Sequence, residues 1–193
     1  MKQLLIETKL FEGKVKEDAD GRTLVTGVLQ RAGAENQNGR VYPMEILQRE
    51  AKKYQQLIDE RRALGELDHP DSSVINLKNV SHNVKEIFWK GNDLCGVVEI
   101  LATPSGNILK ELLRAGILLG ISSRGMGSTK QIDENTVEVQ EDFELLGWDF
   151  VSNPSTHGAF MKPMNESVSL DQPVCDVFCK AQDLMREIIT ELN

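Results

Sequence analysis

The spacing of apolar residues predicts a chain built mainly of strands, with helices between some of them. In several stretches apolar and polar residues alternate or form short apolar runs bounded by turn residues, which is typical of strands. The segments 18–21 and 90–93 carry such turn residues and separate two pairs of these stretches. The predicted strands are 3–11, 23–31, 80–89, 94–102 and 117–123, with two more extended stretches within 136–152.

Three other stretches repeat apolar residues every three or four positions, which predicts amphipathic helices. The first begins at Pro43, a residue favoured in the first helical turn. In the second, we expect Ser105 to cap the N-terminus and Gly116 to end the helix. The third covers about 174–192. The expected buried positions are Met44, Leu47, Ala51, Tyr54 and Leu57, then Ile108, Leu109, Leu112 and Leu113, then Val177, Phe178, Ala181, Leu184, Met185, Ile188 and Leu192.

These elements favour a particular fold class. Strands that follow one another locally, with helices that do not alternate regularly with them, indicate antiparallel pairing. We therefore predict a mainly β or α+β fold, in which an antiparallel sheet or barrel is surrounded by several helices. A length of 193 residues fits one domain, so residues 1–193 are expected to form a single unit.

Charge narrows the range of partners. The 22 basic and 30 acidic residues leave a net charge of −8, whereas phosphate neutralisation needs a basic surface. Nucleic acid is therefore not expected as a partner.

The N-terminal apolar run, Leu4 to Ile6, is too short for a signal peptide or a membrane helix. We expect a cytoplasmic protein without a membrane partner.

The cysteines raise the question of zinc. Cys175 and Cys179 stand four positions apart, a spacing that can serve a metal, while Cys95 lies far from both. A structural zinc site needs about four ligands, and the three histidines supply no second pair. We interpret these thiols as core residues, and we expect no metal.

Two glycine-containing segments carry candidate chemistry, 65–70 and 120–127. The second resembles a phosphate loop and a hydrolase nucleophile elbow, but it fits neither. A phosphate loop needs Gly-Lys-Ser/Thr, and Met126 follows Gly125 here. The elbow needs a glycine two positions before and two positions after one serine, which neither Ser122 nor Ser123 has.

Taken together, the two segments suggest a serine nucleophile with a histidine base. A serine hydroxyl needs an imidazole to take its proton, and the imidazole needs a third group to hold its tautomer. His69 and the serine pair both lie at predicted strand ends. Asp149 is a lone charge among apolar neighbours and a candidate third member. Its rivals are Glu141, Glu144 and His157, and alternation along the chain does not choose among them.

At this point the sequence resembles a known family. The segments 65–70, 121–127 and 148–155 are similar, in order and spacing, to those of the prohead proteases of T-even-type tailed phages. The segment 38–42, before the helix that Pro43 begins, also fits. The order of histidine, serine and acid differs from that in chymotrypsin, subtilisin and the α/β-hydrolases.

The resemblance implies a fold and a reaction. The fold is an antiparallel barrel related to the herpesvirus assembly proteases, wrapped by helices. The activity is that of a serine endopeptidase, with His69 as general base, Ser123 as nucleophile by the Ser-x-Gly pattern and Asp149 as third member. No metal or cofactor is expected. The implied substrates are phage scaffold and major capsid proteins, which are cut inside the immature capsid in the host cytoplasm. The resemblance leaves open whether the chain forms a homo-oligomer.

The resemblance also implies cleavage after a Glu that follows Leu or Ile by two positions. That pattern ends at Glu7, Glu12 and Glu191, near the two ends of the chain. Because chain ends fray easily, we predict a zymogen with removable segments at about 1–12 and 165–193.

Two other functions fit parts of the sequence. One is a non-catalytic phage assembly protein on the same barrel, which the presence of His69 and Ser123 disfavours. The other is a cytoplasmic serine hydrolase of small esters, which would need a deep apolar pocket.

Overall fold

The computed structural model describes residues 3–10, 14–17, 21–68 and 72–152. Within those ranges the chain forms eleven strands and two helices. The strands are β1 (Gln3–Leu10), β2 (Lys14–Glu17), β3 (Thr23–Arg31), β4 (Arg40–Val41), β5 (Leu64–Glu66), β6 (Val80–Lys90), β7 (Asp93–Ile100), β8 (Gly120–Gly127), β9 (Thr129–Gln131), β10 (Val137–Val139) and β11 (Glu144–Val151). The helices are α1 (Met44–Asp59) and α2 (Pro104–Arg114).

The strands form three sheets. The largest is antiparallel with the order β2-β3-β7-β6-β5, and a second antiparallel sheet has the order β1-β8-β11. The third has the order β4-β10-β9, and its β4–β10 pair is parallel. A parallel bridge between Leu67 and Phe150 connects the ends of the two larger sheets. The prediction of a mainly β fold with antiparallel sheets is confirmed.

The hydrophobic core lies between the five-stranded sheet and the β1-β8-β11 sheet, and α1 packs against it. Helix α1 packs against β6 and β11, and its Tyr54 ring meets the Trp148 ring edge-on at 4.8 Å. Trp148 and Phe150 of β11 are completely buried, as is Ile121 of β8. Because β8 and β11 carry part of this core, the polar side chains between those apolar positions are held in fixed places.

The long elements match the predictions. β1, β3, β6 and β7 lie where strands were expected, and α1 begins directly after Pro43. The strand expected over 117–123 is wrong at both ends, since β8 begins at Gly120 and continues to Gly127. Ile117 is 47% exposed and follows Gly116, whose φ of +74° ends the preceding helix. Ile117 and Leu118 are therefore part of a surface loop, whereas Leu119 is buried in the core.

The second helix differs in its details. Its N-cap is Thr103, whose hydroxyl accepts from the Gly106 amide at 3.0 Å, and not Ser105. Pro104 occupies the first helical position, so the helix starts before the expected cap. Leu109 and Leu113 are buried as expected, whereas Ile108 is 55% exposed because it lies beside that stripe.

Some short strands were not predicted, and some predicted features lie outside the described residues. The short strands β2, β4, β5 and β9 were not predicted. The third helix, the segment 165–193, His157 and the cysteine pair 175 and 179 lie outside the described residues. In the described part of the chain, no helix is long and apolar enough to cross a membrane. No group of three metal-ligating side chains occurs there either.

Candidate active site

The candidate serines lie in the middle of β8, between β1 and β11. Ser122 is completely buried and Ser123 is 2% exposed. Since successive side chains of a strand point to opposite faces of its sheet, the two hydroxyls lie on different faces. The neighbouring strands decide which hydroxyl meets which partner.

The register of β8 against its neighbours separates the two serines. Ser122 is directly opposite Asp149 of β11, and Ser123 is opposite Trp148. On the other side, Ser123 is opposite Glu7 of β1. Directly opposite residues share a face of the sheet. Ser122 therefore shares a face with Asp149, whereas Ser123 shares the core face with Trp148 and Glu7.

A buried ion pair lies on the same face as Ser122. Arg124 Nε is 3.1 Å from Asp149 Oδ2, and Arg124 Nη2 donates to Asp149 Oδ1 at 3.2 Å. Both side chains are completely buried. A buried charge is stable only when it is paired, so each of these groups depends on the other.

The end of β5 and the loop after it contribute to the same cluster. The Glu66 amide donates to Asp149 Oδ1 at 3.0 Å, and Glu66 Oε1 is 3.8 Å from Arg124 Nη1. Glu66 Oε1 also accepts from the Asn76 amide at 2.9 Å, while Arg124 Nη1 donates to the Ser72 carbonyl at 2.9 Å. One guanidinium thus joins two carboxylates and a loop that covers this face.

His69 lies outside the described residues, but the backbone leading to it is described. Leu67 forms a bridge with Phe150, and the Asp68 amide donates to the Phe150 carbonyl at 2.7 Å. Asp68 has a φ of +70°, an uncommon value for a residue with a side chain. The residue before His69 is therefore bonded to the residue after Asp149.

The rival acids are placed differently from Asp149. Glu144 is exposed and opposite Met126, four positions along β8 from Ser122. Glu141 is exposed in the turn before β11. Among these three described candidates, Asp149 is the acid whose strand position is directly opposite a serine.

A second histidine, His82, lies behind β11 and was not assigned a role from the sequence. It is completely buried, with Nε2 3.0 Å from the Trp148 carbonyl and Nδ1 2.8 Å from Ser81 Oγ. Because a carbonyl only accepts, Nε2 donates and Nδ1 accepts from Ser81. Burial lowers the pKa of His82 to about 4, which keeps the ring neutral near pH 7. Its sequence signal was its position within an apolar strand.

Gly65 gives His82 the space to reach β11. A Cβ atom at Gly65 would overlap both the His82 ring and the Trp148 carbonyl oxygen. The glycine that begins the segment 65–70 therefore has a packing role, as it allows β5, β6 and β11 to meet closely.

Another buried carboxylate, Glu7 of β1, was predicted from the sequence only as the end of a cleavage pattern and not as part of a binding site. It is 6% exposed and accepts four hydrogen bonds from the segment between β3 and α1. The donors are Asn36 Nδ2 at 2.5 Å, Asn38 Nδ2 at 2.8 Å, Arg40 Nη1 at 2.6 Å and Tyr42 Oη at 3.0 Å. Three of these donors lie in the segment 38–42 that carried part of the family resemblance.

Comparison with known proteins agrees with this architecture. The family model described as prohead core protein serine protease matches residues 2–169 of the chain. The chain belongs to this family. It is a serine protease, and the family predicted from segments 65–70, 121–127 and 148–155 is confirmed.

Two relatives come from bacteriophage T4. The prohead core protein protease of Enterobacteria phage T4 is 30% identical over 208 aligned positions, covering 97% of this chain and 98% of the relative. The solved structure of the bacteriophage T4 capsid assembly protease superposes with a TM-score of 0.75 at 31% identity. It covers 79% of this chain and 99% of that one. The sheet arrangement described above is thus similar to that of a capsid assembly protease.

Proposed function

We propose that the chain is an endopeptidase that cleaves scaffold and capsid proteins inside an immature phage capsid in the host cell. The names of the two T4 relatives, a prohead core protein protease and a capsid assembly protease, support this function. The relation covers nearly the whole length of both sequences, so it is not limited to a shared motif.

The observation that carries the mechanism is the shared face of Ser122 and Asp149. In a serine–histidine–acid arrangement the acid orients the imidazole that activates the serine, so one imidazole must reach both groups. The register supports Ser122 in that role, because Ser122 is directly opposite Asp149. The Ser-x-Gly pattern supports Ser123, which shares the core face with Trp148 instead. We therefore propose Ser122 as nucleophile and keep Ser123 as the alternative.

His69 is the proposed general base. It takes the serine proton as the oxygen attacks the carbonyl carbon of the substrate, and it then gives that proton to the leaving amine. Water hydrolyses the resulting acyl-enzyme by the same steps, with His69 again as base. The bond between the Asp68 amide and the Phe150 carbonyl supports this role, because it anchors the preceding residue beside Asp149.

Asp149 is the proposed third member. Its carboxylate is held by Arg124 and by the Glu66 amide at the strand position directly opposite Ser122, and this placement supports the role. Arg124 holds the carboxylate in place, and it is a positioning residue in this proposal.

Self-processing remains part of the proposal, with a condition at Glu7. Glu7 is buried within an eight-residue strand, so cleavage after it by another copy of the chain requires β1 to leave its sheet. Glu12 and Glu191 lie outside the described residues.

The test is cleavage of a purified phage scaffold protein, with a chromogenic ester assayed in parallel. We expect the wild-type chain to cut the scaffold protein, and the Ser122→Ala chain to be inactive while still folded. Cleavage of the ester alone would favour a small-molecule hydrolase, and no cleavage of either would contradict the proposal. An inactive Ser123→Ala chain beside an active Ser122→Ala chain would assign the nucleophile to Ser123.

A further inference from the structure

We propose that the segment 36–42 forms the pocket that binds an acidic side chain of the substrate, and that β1 occupies this pocket as an intramolecular substrate mimic. The inference rests on the proposed function, because the edge of β8 is a substrate groove only in a protease. It goes beyond that function by naming the residues that select the substrate and the segment that blocks them.

The backbone of β1 lies where an extended substrate would bind. Glu7 is opposite Ser123 and Thr8 is opposite Ser122, so the peptide bond between Glu7 and Thr8 faces the serine pair. Extended peptides commonly bind by adding a strand to a free sheet edge. β1 is the edge strand of its sheet, and β8 would present a free edge without it.

The side chain of Glu7 is bound by groups suited to a carboxylate. Its four hydrogen bonds use two amide NH₂ groups, one guanidinium and one phenol. Burial and the nearby Glu7 charge raise the pKa of Tyr42 well above its usual range, so its hydroxyl keeps its proton. All four groups donate to Glu7, and a glutamine at that position would present an NH₂ group to some of them. The pocket therefore selects an acid over its amide.

The same segment also holds the backbone of the occupant. The Ile6 carbonyl accepts from Arg40 Nη1 at 3.1 Å and from Asn38 Nδ2 at 3.2 Å. A carbonyl is present in every residue, so this contact needs no particular side chain at the position before the acid. The segment thus binds the backbone of the strand without regard to its side chains, and it also binds one carboxylate specifically.

The pocket is organised by contacts that do not involve β1. Asn36 Oδ1 accepts from the amides of Asn38 and Arg40, each at 3.0 Å, and Gly39 has a φ of +66° that suits this turn. The Tyr42 ring packs edge-on against Phe143 at 5.3 Å. Since these contacts remain when β1 leaves, the pocket is available to another strand.

Competition between β1 and substrate follows from this arrangement. Because β1 is part of the same chain, its effective concentration at the pocket is high. A free peptide therefore competes poorly with β1 until the hydrogen bonds to Glu7 are weakened. The pocket would then act both in substrate selection and in keeping the enzyme inactive before assembly.

The test measures binding of two fluorescent peptides by anisotropy. One has the sequence of residues 3–10, and its twin carries Gln at the Glu7 position. The full chain carries Ser122→Ala and Ser123→Ala, so the peptides stay intact. With Glu7→Gln added, we expect the acidic peptide to bind about 10- to 100-fold more tightly than to the chain that retains Glu7. It should also bind at least about 10-fold more tightly than its twin, and Arg40→Gln should abolish that preference.

Matched controls separate this role from general destabilisation. Glu35→Gln removes a carboxylate that bonds to Thr136, and Arg31→Gln removes an exposed arginine paired with Asp93. Neither should change peptide binding. A Glu7→Gln chain that takes up no peptide, or that binds both peptides equally, would overturn the pocket.

Amide hydrogen exchange tests the proposal without the Glu7 variant. Excess acidic peptide should accelerate exchange in residues 3–10, and the twin should not; unchanged exchange with both would overturn the proposal. Binding and exchange do not depend on cleavage. Failure of both the wild-type chain and the Glu7→Gln chain, in which the hold on β1 is weakened, to cut scaffold protein therefore contradicts the proposed function. Loss of peptide discrimination contradicts only the pocket.

Discussion

Two buried carboxylates flank β8, and each is paired with an arginine, but the two pairs are built differently. Asp149 and Arg124 both belong to strands of one sheet, and both are completely buried. Glu7 belongs to the edge strand β1, while its partner Arg40 precedes α1 and has a side chain 23% exposed. The first pair is internal to the fold, and the second joins an edge strand to a separate segment.

The difference separates a positioning group from a binding group. Removing a charge fully from water is costly, so the Asp149 pair is stable only when both partners stay in place. Three of the four donors around Glu7 are partly open to water, and contacts that do not involve Glu7 organise their segment. Their carboxylate can therefore be exchanged for another at a smaller cost.

The largest expected effect concerns the two faces of β8. Ser122→Ala should lower kcat on scaffold protein by about 10⁴- to 10⁶-fold, because its face carries Asp149. Ser123→Ala should retain most activity, because its hydroxyl lies on the core face. Initial rates from gel densitometry measure both. The reverse pattern would show that the register does not identify the nucleophile.

The next effect compares the two carboxylates in stability. Asp149→Asn leaves Arg124 buried without its charged partner and should cost about 3–5 kcal/mol of unfolding free energy. It should also lower turnover by about 10²- to 10⁴-fold. Glu7→Gln should cost less, about 1–3 kcal/mol. Urea unfolding measures both, and equal losses would remove the distinction between a positioning pair and an exchangeable one.

A smaller effect is expected from pH through His82, which holds β6 against β11. Its pKa is about 4 in the folded chain and about 6.5 when exposed, so unfolding takes up a proton between these values. Stability should be complete above pH 6.5 and fall by roughly 2–4 kcal/mol as pH decreases to 4. His82→Gln should flatten this slope. The Glu50 carboxyl, whose pKa its Lys53 and Arg49 partners lower, adds its own loss only below about pH 4.5.

The smallest effect tests the close contact behind Asp149. Gly65→Ala would place a methyl group against the His82 ring and the Trp148 carbonyl, and it should cost about 1–3 kcal/mol. Gly147→Ala is the matched control on β11, since its nearest neighbours would be 3.6 Å away. Thermal unfolding of the two variants should therefore differ. Similar melting temperatures would indicate that β5 and β11 have room to separate.

Much of the architecture could be predicted from local patterns. The strands β1, β3, β6 and β7 and the helix α1 each show a clear period over eight or more residues. The short strands β4, β5 and β9 show none, because two or three residues do not define a period. Ser105 was predicted as the cap, whereas Thr103 is the cap in the structure and Pro104 occupies the first helical position.

The candidate site, like the fold, could be predicted only in part from local patterns. The motifs around His69, the serine pair and Asp149 were sufficient to identify the family, because their order and spacing are carried by the sequence itself. His82 had no assigned role because its partner, the Trp148 carbonyl, is a backbone atom 66 positions away. Glu7 was seen as part of a cleavage pattern, but its four donors are 29 to 35 positions further along the chain.

The sequence by itself determined that Ser122 and Ser123 lie on opposite faces of a strand, because side chains alternate with a period of two. It did not determine which face carries the acid, since a shift of one residue in pairing exchanges the two faces. The tertiary structure decided this by pairing β8 with β11, so that Ser122 meets Asp149 and Ser123 meets Trp148. Register depends on contacts between segments far apart in the chain, and local alternation contains no information about them.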